Sequence, residues 1–153
     1  MTLAQESVTT SPKTAAHMRV VIDRLRRQAG TTSGTILPSG GTAAVAITLG
    51  DVLYAPSAGN LNKAIATALA TARVVGVAVE SISSGATGTM QTCGVVEIAT
   101  WSLTANTVYY LSKDTAGAIT ATAPTATGEV VIPVGFALSA TELRLLSVPP
   151  ILL

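Results

Sequence analysis

The stretch GDVLYAPSAGNLNKA (50–64), followed by VVGVAV (74–79), decides how this chain is read, because NTVYYLSKDTAGAITAT (106–122), followed by IPVGFAL (132–138), echoes it. Val52 and Tyr54 recur 56 residues later as Val108 and Tyr110. Ala58, Gly59 and Leu61 recur after 58 as Ala116, Gly117 and Ile119, and Val75, Gly76 and Ala78 recur after 59 as Val134, Gly135 and Ala137. So small a drift in offset points to a duplicated unit: a strand, an Ala-Gly turn, a strand, a loop and a strand containing Val-Gly. The glycines supply the turn conformation that other residues resist. Two copies are too few for a solenoid and suit a pseudo-twofold β-domain.

Working outward, the flanking sequence keeps the same character. In AAVAITL (43–49), Val45, Ile47 and Leu49 alternate with small residues, as a strand with one buried face requires. Further β-like runs are 52–54, 73–79, 89–100, 107–112, 118–122, 129–138 and 142–148, separated by GD, PSAGN, SSGATG, TANT, KDTAG and APTATG, all turn chemistry. Short strands at this spacing predict a mainly β fold, a sandwich or barrel-like domain over 43–153. Residues 61–72 read as extended or irregular.

Upstream the pattern changes. Residues 1–30 form an N-terminal arm and a helix, in which Ser11 caps, Pro12 takes the first helical position and Gly30 ends it. Ala15, Met18, Ile22, Leu25 and Ala29 recur at alternating spacings of three and four, a narrow heptad seam. An isolated helix of this length is marginal in water, so the seam requires copies of itself or a docking groove. Residues 31–42, rich in Gly, Ser and Thr, read as a linker.

Charge follows the same division. Residues 1–30 carry Lys13, Arg19, Arg24, Arg26 and Arg27 against Glu6 and Asp23, whereas acidic residues outnumber basic ones in the remainder. Arg19, Arg24, Arg26 and Arg27 are the candidate docking residues, for an acidic protein surface. The other reading is a solvated helix face. Nucleic acid is disfavoured, because neither aromatic stacking groups nor a recognised nucleic-acid fold accompanies the arginines. Over the whole chain only 11% of residues are charged and 48% are apolar, with a mean hydropathy of +0.54. So few charges on so small a domain predict self-association or docking onto a larger body. No membrane partner is expected, since Lys63 and Arg73 interrupt the most apolar window, and MTLAQESVTT lacks the features of a signal peptide.

The chain offers no catalytic constellation. His17 is the only histidine and lies on the outer face of the helix, so no nucleophile–base pair can be assembled around it. Cys93, the only cysteine, is expected to be a small buried hydrophobe, with an intermolecular disulfide as the alternative. One His and one Cys do not make a zinc site. Asp51 and Asp114 fall in turns, and Glu80, Glu97, Glu129 and Glu142 at strand ends or solvent faces. No glycine pattern of a phosphate-binding loop occurs, and no cofactor is expected. The terminal PPILL (149–153) is different: two prolines impose an extended conformation, then Ile151, Leu152 and Leu153 follow as consecutive apolar side chains. Burying two of them contributes about 3–6 kcal/mol, enough to fasten the tail to its own domain or to a neighbouring subunit. Together with the helix seam they are the candidate oligomerisation and anchor residues.

Several of these stretches carry a resemblance. WSLTANTVYYLS (101–112), AGAITATAPT (116–125), VGFALSATEL (134–143) and PPILL resemble a module of tailed-bacteriophage virion proteins: capsid decoration or cement proteins, head fibres and small tail fibres. GDVLYAPSAGNLNKA and ARVVGVAVESISSGATGTMQTCGVVEI (72–98) resemble the small β-rich head-stabilising proteins of tailed phages, with a VGV strand before a turn and a TxGVV strand. The similarity spans about residues 50–153 and leaves 1–40 uncovered. It implies a non-enzymatic virion component, often trimeric, on the outside of the particle, with the major capsid protein or a tail protein as partner. A decoration or head-fibre role leads, followed by a short tail fibre attached through the helix, and then a host-surface glycan-binding module.

Overall fold

The computed structural model describes residues 36–37 and 41–153. The helix expected over residues 11–29, with its seam residues and arginines, lies outside the described residues. The chain divides at Thr32/Ser33 into two compact units, and the second holds every described residue.

This unit is mainly β, with no helix among the described residues. Its strands, in chain order, are β1 (Ile36–Leu37), β2 (Thr42–Ala43), β3 (Val52–Tyr54), β4 (Asn60–Lys63), β5 (Val74–Ala78), β6 (Met90–Gln91) and β7 (Val95–Glu97). Then come β8 (Val108–Leu111), β9 (Ile119–Thr120), β10 (Val130–Val131), β11 (Pro133–Ala137), β12 (Glu142–Leu145) and β13 (Ile151–Leu152). The first sheet runs β1-β6-β5-β3-β4-β2 and the second β7-β12-β11-β8-β9, while β10 and β13 pair separately. Apart from β2, which adds parallel to β4, the two orders are the same arrangement of five antiparallel strands.

The register repeats as closely as the order. In the first sheet Val52 faces Val77, Leu53 faces Gly76 and Tyr54 faces Val74; in the second Val108 faces Phe136, Tyr109 faces Gly135 and Tyr110 faces Pro133. Both ladders therefore slip by one residue at the same place, leaving Val75 and Val134 as the extra residue of a β-bulge. Gly59 and Gly117, 58 residues apart, share a left-handed conformation with φ of 80° and 82°. Gly50 at φ 89° is matched by Asn106 at φ 61°, a residue type that tolerates this region. Even the surrounding bonds match: Gly50 N–H donates to Ala78 O and Asn106 N–H to Ala137 O, both at 2.8 Å.

The halves bury different faces. Val52 and Val77 of the first sheet join one core with Tyr109, Leu111, Val134, Ala137 and Leu143 of the second, together with Val130 and Ile132. The opposite face of the first sheet, Leu53, Leu61, Ala78 and Met90, makes a second core under Ile47 and Ile82. Backbone hydrogen bonds stitch the halves together: Val52 N–H donates to Gly117 O at 2.8 Å, Gly117 N–H to Ala64 O at 2.7 Å and Ala66 N–H to Ser112 O at 3.0 Å.

Several expectations need correction. Residues 43–49 do not form a strand: only Ala43 belongs to one, Ile47 makes a single bridge to Ile82, and Val45 is exposed. A strand needs a partner along its length, and alternation alone does not supply one. The run 89–100 is two strands separated by Gly94, whose φ is 83°, and the run 129–138 divides at Ile132. Within the stretch read as a linker, Ile36–Leu37 pairs with Met90–Gln91.

Candidate interaction surface

The C-terminal segment is held by its backbone. After Pro149 and Pro150, β13 pairs antiparallel with β10, Val130 facing Leu152 and Val131 facing Ile151. Leu153 N–H donates to Glu129 O and Gly128 N–H donates to Leu153 O, both at 2.9 Å. The side chains nevertheless stay out: Ile151, Leu152 and Leu153 are 59%, 54% and 43% exposed. This corrects one alternative for the tail, burial against its own domain. The prolines forbid the tail from folding back as a helix, and a two-residue ladder fixes the backbone without covering its side chains.

Glu129 secures the strand that receives the tail. Its carboxylate accepts from Ala126 N–H at 3.0 Å and Thr125 N–H at 3.1 Å, and Lys113 Nζ lies 3.2 Å away. The Ala126 amide is the main cause that holds this carboxyl below its ordinary 4.5, with Lys113 and Thr125 adding to it. Reciprocally, Glu129 and then Asp114 raise the Lys113 ammonium above its ordinary 10.5. Glu80 is lowered by its hydrogen bond with Thr89, whose N–H it accepts at 2.7 Å. Asp51 sits in its turn, half-buried, accepting Thr48 N–H at 2.7 Å and pairing with Lys63 at 2.9 Å. Each of these carboxylates fastens a turn or a strand end.

No three of the described His, Cys, Asp and Glu side chains gather to hold a metal ion. Cys93 is exposed rather than buried, because it lies in the turn that Gly94 makes between β6 and β7. A groove of ≈ 250 Å³ runs between β5 and the segment 145–148, with the polar Thr92 and Ser147 on walls otherwise of Val, Ile, Leu and Gly76. No helix among the described residues is long and apolar enough to cross a membrane.

The exposed apolar surface is larger than the tail. Leu146 and Val148 lead into it, each 40% exposed, and Leu138 projects elsewhere at the end of β11. Sequence reasoning singled out Ile151–Leu153 but passed over Leu138, Leu146 and Val148, because each sits in a run whose other members are core. The usable signal was alternation: Leu138 follows the buried Ala137, and Leu146 the half-buried Leu145. Of the aromatics, Tyr109 is buried, while Tyr54, Trp101, Tyr110 and Phe136 are half-buried. Exposed apolar residues this close together in the chain, Leu146, Val148 and Ile151–Leu153, mark a candidate interaction surface. Comparison with protein-family models and with curated proteins finds no match to this chain.

Proposed function

We propose that this chain is a non-enzymatic structural protein of a tailed-bacteriophage virion, an oligomeric accessory component on the particle exterior of the decoration or head-fibre kind. It is made in the host cytoplasm and carried on the virion. The β-domain, read as a sandwich of two duplicated sheets, is the associating body. The N-terminal helix, through Ala15, Met18, Ile22, Leu25 and Ala29 and the arginines beside them, is the attachment to the major capsid protein. Three copies per assembly is what the resemblance implies.

The observation that carries this reading is the C-terminal strand, tied down by backbone pairing with Ile151, Leu152 and Leu153 turned outward. Such a strand is anchored in position and is covered only by another surface. A charge-poor protein whose carboxylates fasten turns fits a packing component better than a reagent. Cryo-EM of virions carrying the chain, with copy number from quantitative mass spectrometry, tests the proposal. Many copies on the head are expected. Density confined to the tail at low copy number would overturn it in favour of a short tail fibre.

A further inference from the structure

The duplication supplies an internal comparison of what each face of the sheet does. In the first sheet, Gln91, Val77 and Val52 lie side by side across β6, β5 and β3. The equivalent row in the second sheet is Arg144, Phe136 and Val108 across β12, β11 and β8, extended by Val95 on β7. The first row is sealed, with Val52 and Val77 at 0% exposure and Gln91 at 4%, because the second half of the chain covers it. In the second row Val95, Phe136 and Val108 are half-buried and Arg144 is exposed. Among the described residues, the same face of the same unit is thus sealed in one copy of the repeat and only half-covered in the other.

The charges on this half-covered face say what fits it. Glu97 and Glu142 are directly opposed across β7 and β12, a like-charge pair that costs stability in a sheet. Arg144 lies two residues from Glu142 on the same face, and among the described residues none of the three makes an ion pair. Leu138 N–H donates to Glu142 O at 2.9 Å, so an exposed leucine continues the row of glutamates. One row therefore reads Glu97, Glu142, Leu138, and the next, about 7 Å along the strands, Val95, Arg144, Phe136. A two-fold axis lying in the interface and running across the strands between these rows sets each row over the other in a second copy. Arg144 then meets Glu142, and Phe136 meets Leu138. On β12 and β11 the pattern is complementary to itself, and at the β7 edge Val95 meets Glu97.

We infer that this face of the second sheet, centred on Phe136 and Arg144, is a self-association surface that a second copy of the chain covers about a two-fold axis. The inference shares with the proposed function the premise that the chain associates with itself, and adds where. A two-fold contact alone closes at two copies, and combined with three-fold symmetry it closes at six. Either way the assembly mass is an even multiple of the 15.4 kDa chain.

Sedimentation equilibrium on the full chain tests this, with Phe136→Asp, Arg144→Glu and the triple inversion Arg144→Glu/Glu142→Arg/Glu97→Arg, each checked for folding by circular dichroism. The wild type should give an even multiple of the chain mass. Either single substitution should halve it at micromolar concentration, through a rise of about tenfold or more in the dissociation constant. The triple inversion, which keeps the face complementary to itself, should recover the wild-type mass. An odd multiple, a mass unchanged in either single variant, or a triple inversion that stays dissociated overturns the inference and leaves the proposed function standing. A monomeric wild type overturns the inference together with the self-association that the proposed function requires.

Discussion

Gly76 and Gly135 occupy the same position in the two sheets, and an alanine at either tests whether the bulges are built alike. Neither has a positive φ among the described residues, so neither is glycine for backbone reasons. Space is the constraint. A Cβ on Gly76 would lie 2.6 Å from Gln91 O, and on Gly135 it would lie 2.5 Å from Leu143 Cγ and 2.7 Å from Arg144 O, where real Cβ atoms essentially never come within 3.0 Å. In both cases a backbone carbonyl of the neighbouring strand is in the way, so the ladder itself must open. Overpacking of this kind costs about 1–3 kcal/mol, offset by about 0.4–1 kcal/mol from the lower entropy of the unfolded alanine chain. The net expectation for each variant is a loss of about 1–2 kcal/mol, or roughly 3–6 °C in Tm per kcal/mol for a domain of this size. Urea unfolding at fixed protein concentration measures it as a shift in midpoint at constant m-value. Gly76→Ala and Gly135→Ala both within about 0.3 kcal/mol of the wild type would refute the reasoning.

Other positions give independent tests. Leu143→Ala empties a fully buried site in the shared core and should cost about 2–5 kcal/mol by the same unfolding measurement. Asn106 at φ 61° should tolerate glycine with little change in stability, whereas Asn106→Ala should lose about 1 kcal/mol, because alanine resists the left-handed region. Glu129→Gln should be less stable than the wild type at pH 7. Because the folded carboxyl titrates below the ordinary 4.5, its contribution is complete above that value and disappears as pH falls through the lowered one, so urea midpoints of the two proteins should converge as the carboxyl becomes protonated at acid pH.

How much was legible in the sequence depends on what each feature rests on. The Ala-Gly turns at 58–59 and 116–117 were readable because a left-handed residue leaves a compositional mark. The repeat marked the strands of the two units as equivalent, whereas which strands pair is seen only in the sheets. Residues 43–49 misled because their alternation is real but, of Val45, Ile47 and Leu49, only Ile47 finds a bridging partner. Cys93 misled because 89–100 reads as one β-like run, while the turn at Gly94 divides it and carries the cysteine out to solvent. The tail was recognised as something to be held, but the means of holding it, a ladder to β10 that leaves Ile151–Leu153 outside, was not deducible from PPILL.

Local chemistry written along the chain was enough for the mainly β class, the duplicated unit, the turn glycines and the concentration of basic charge before residue 30, because each depends on near neighbours. What packs on a finished sheet does not. Val52 and Val108 sit at matching positions of matching strands, as do Val77 and Phe136, yet the first of each pair is sealed and the second half-open. Burial belongs to the element laid on top, and in a duplicated chain only the tertiary arrangement decides which copy of a face receives it.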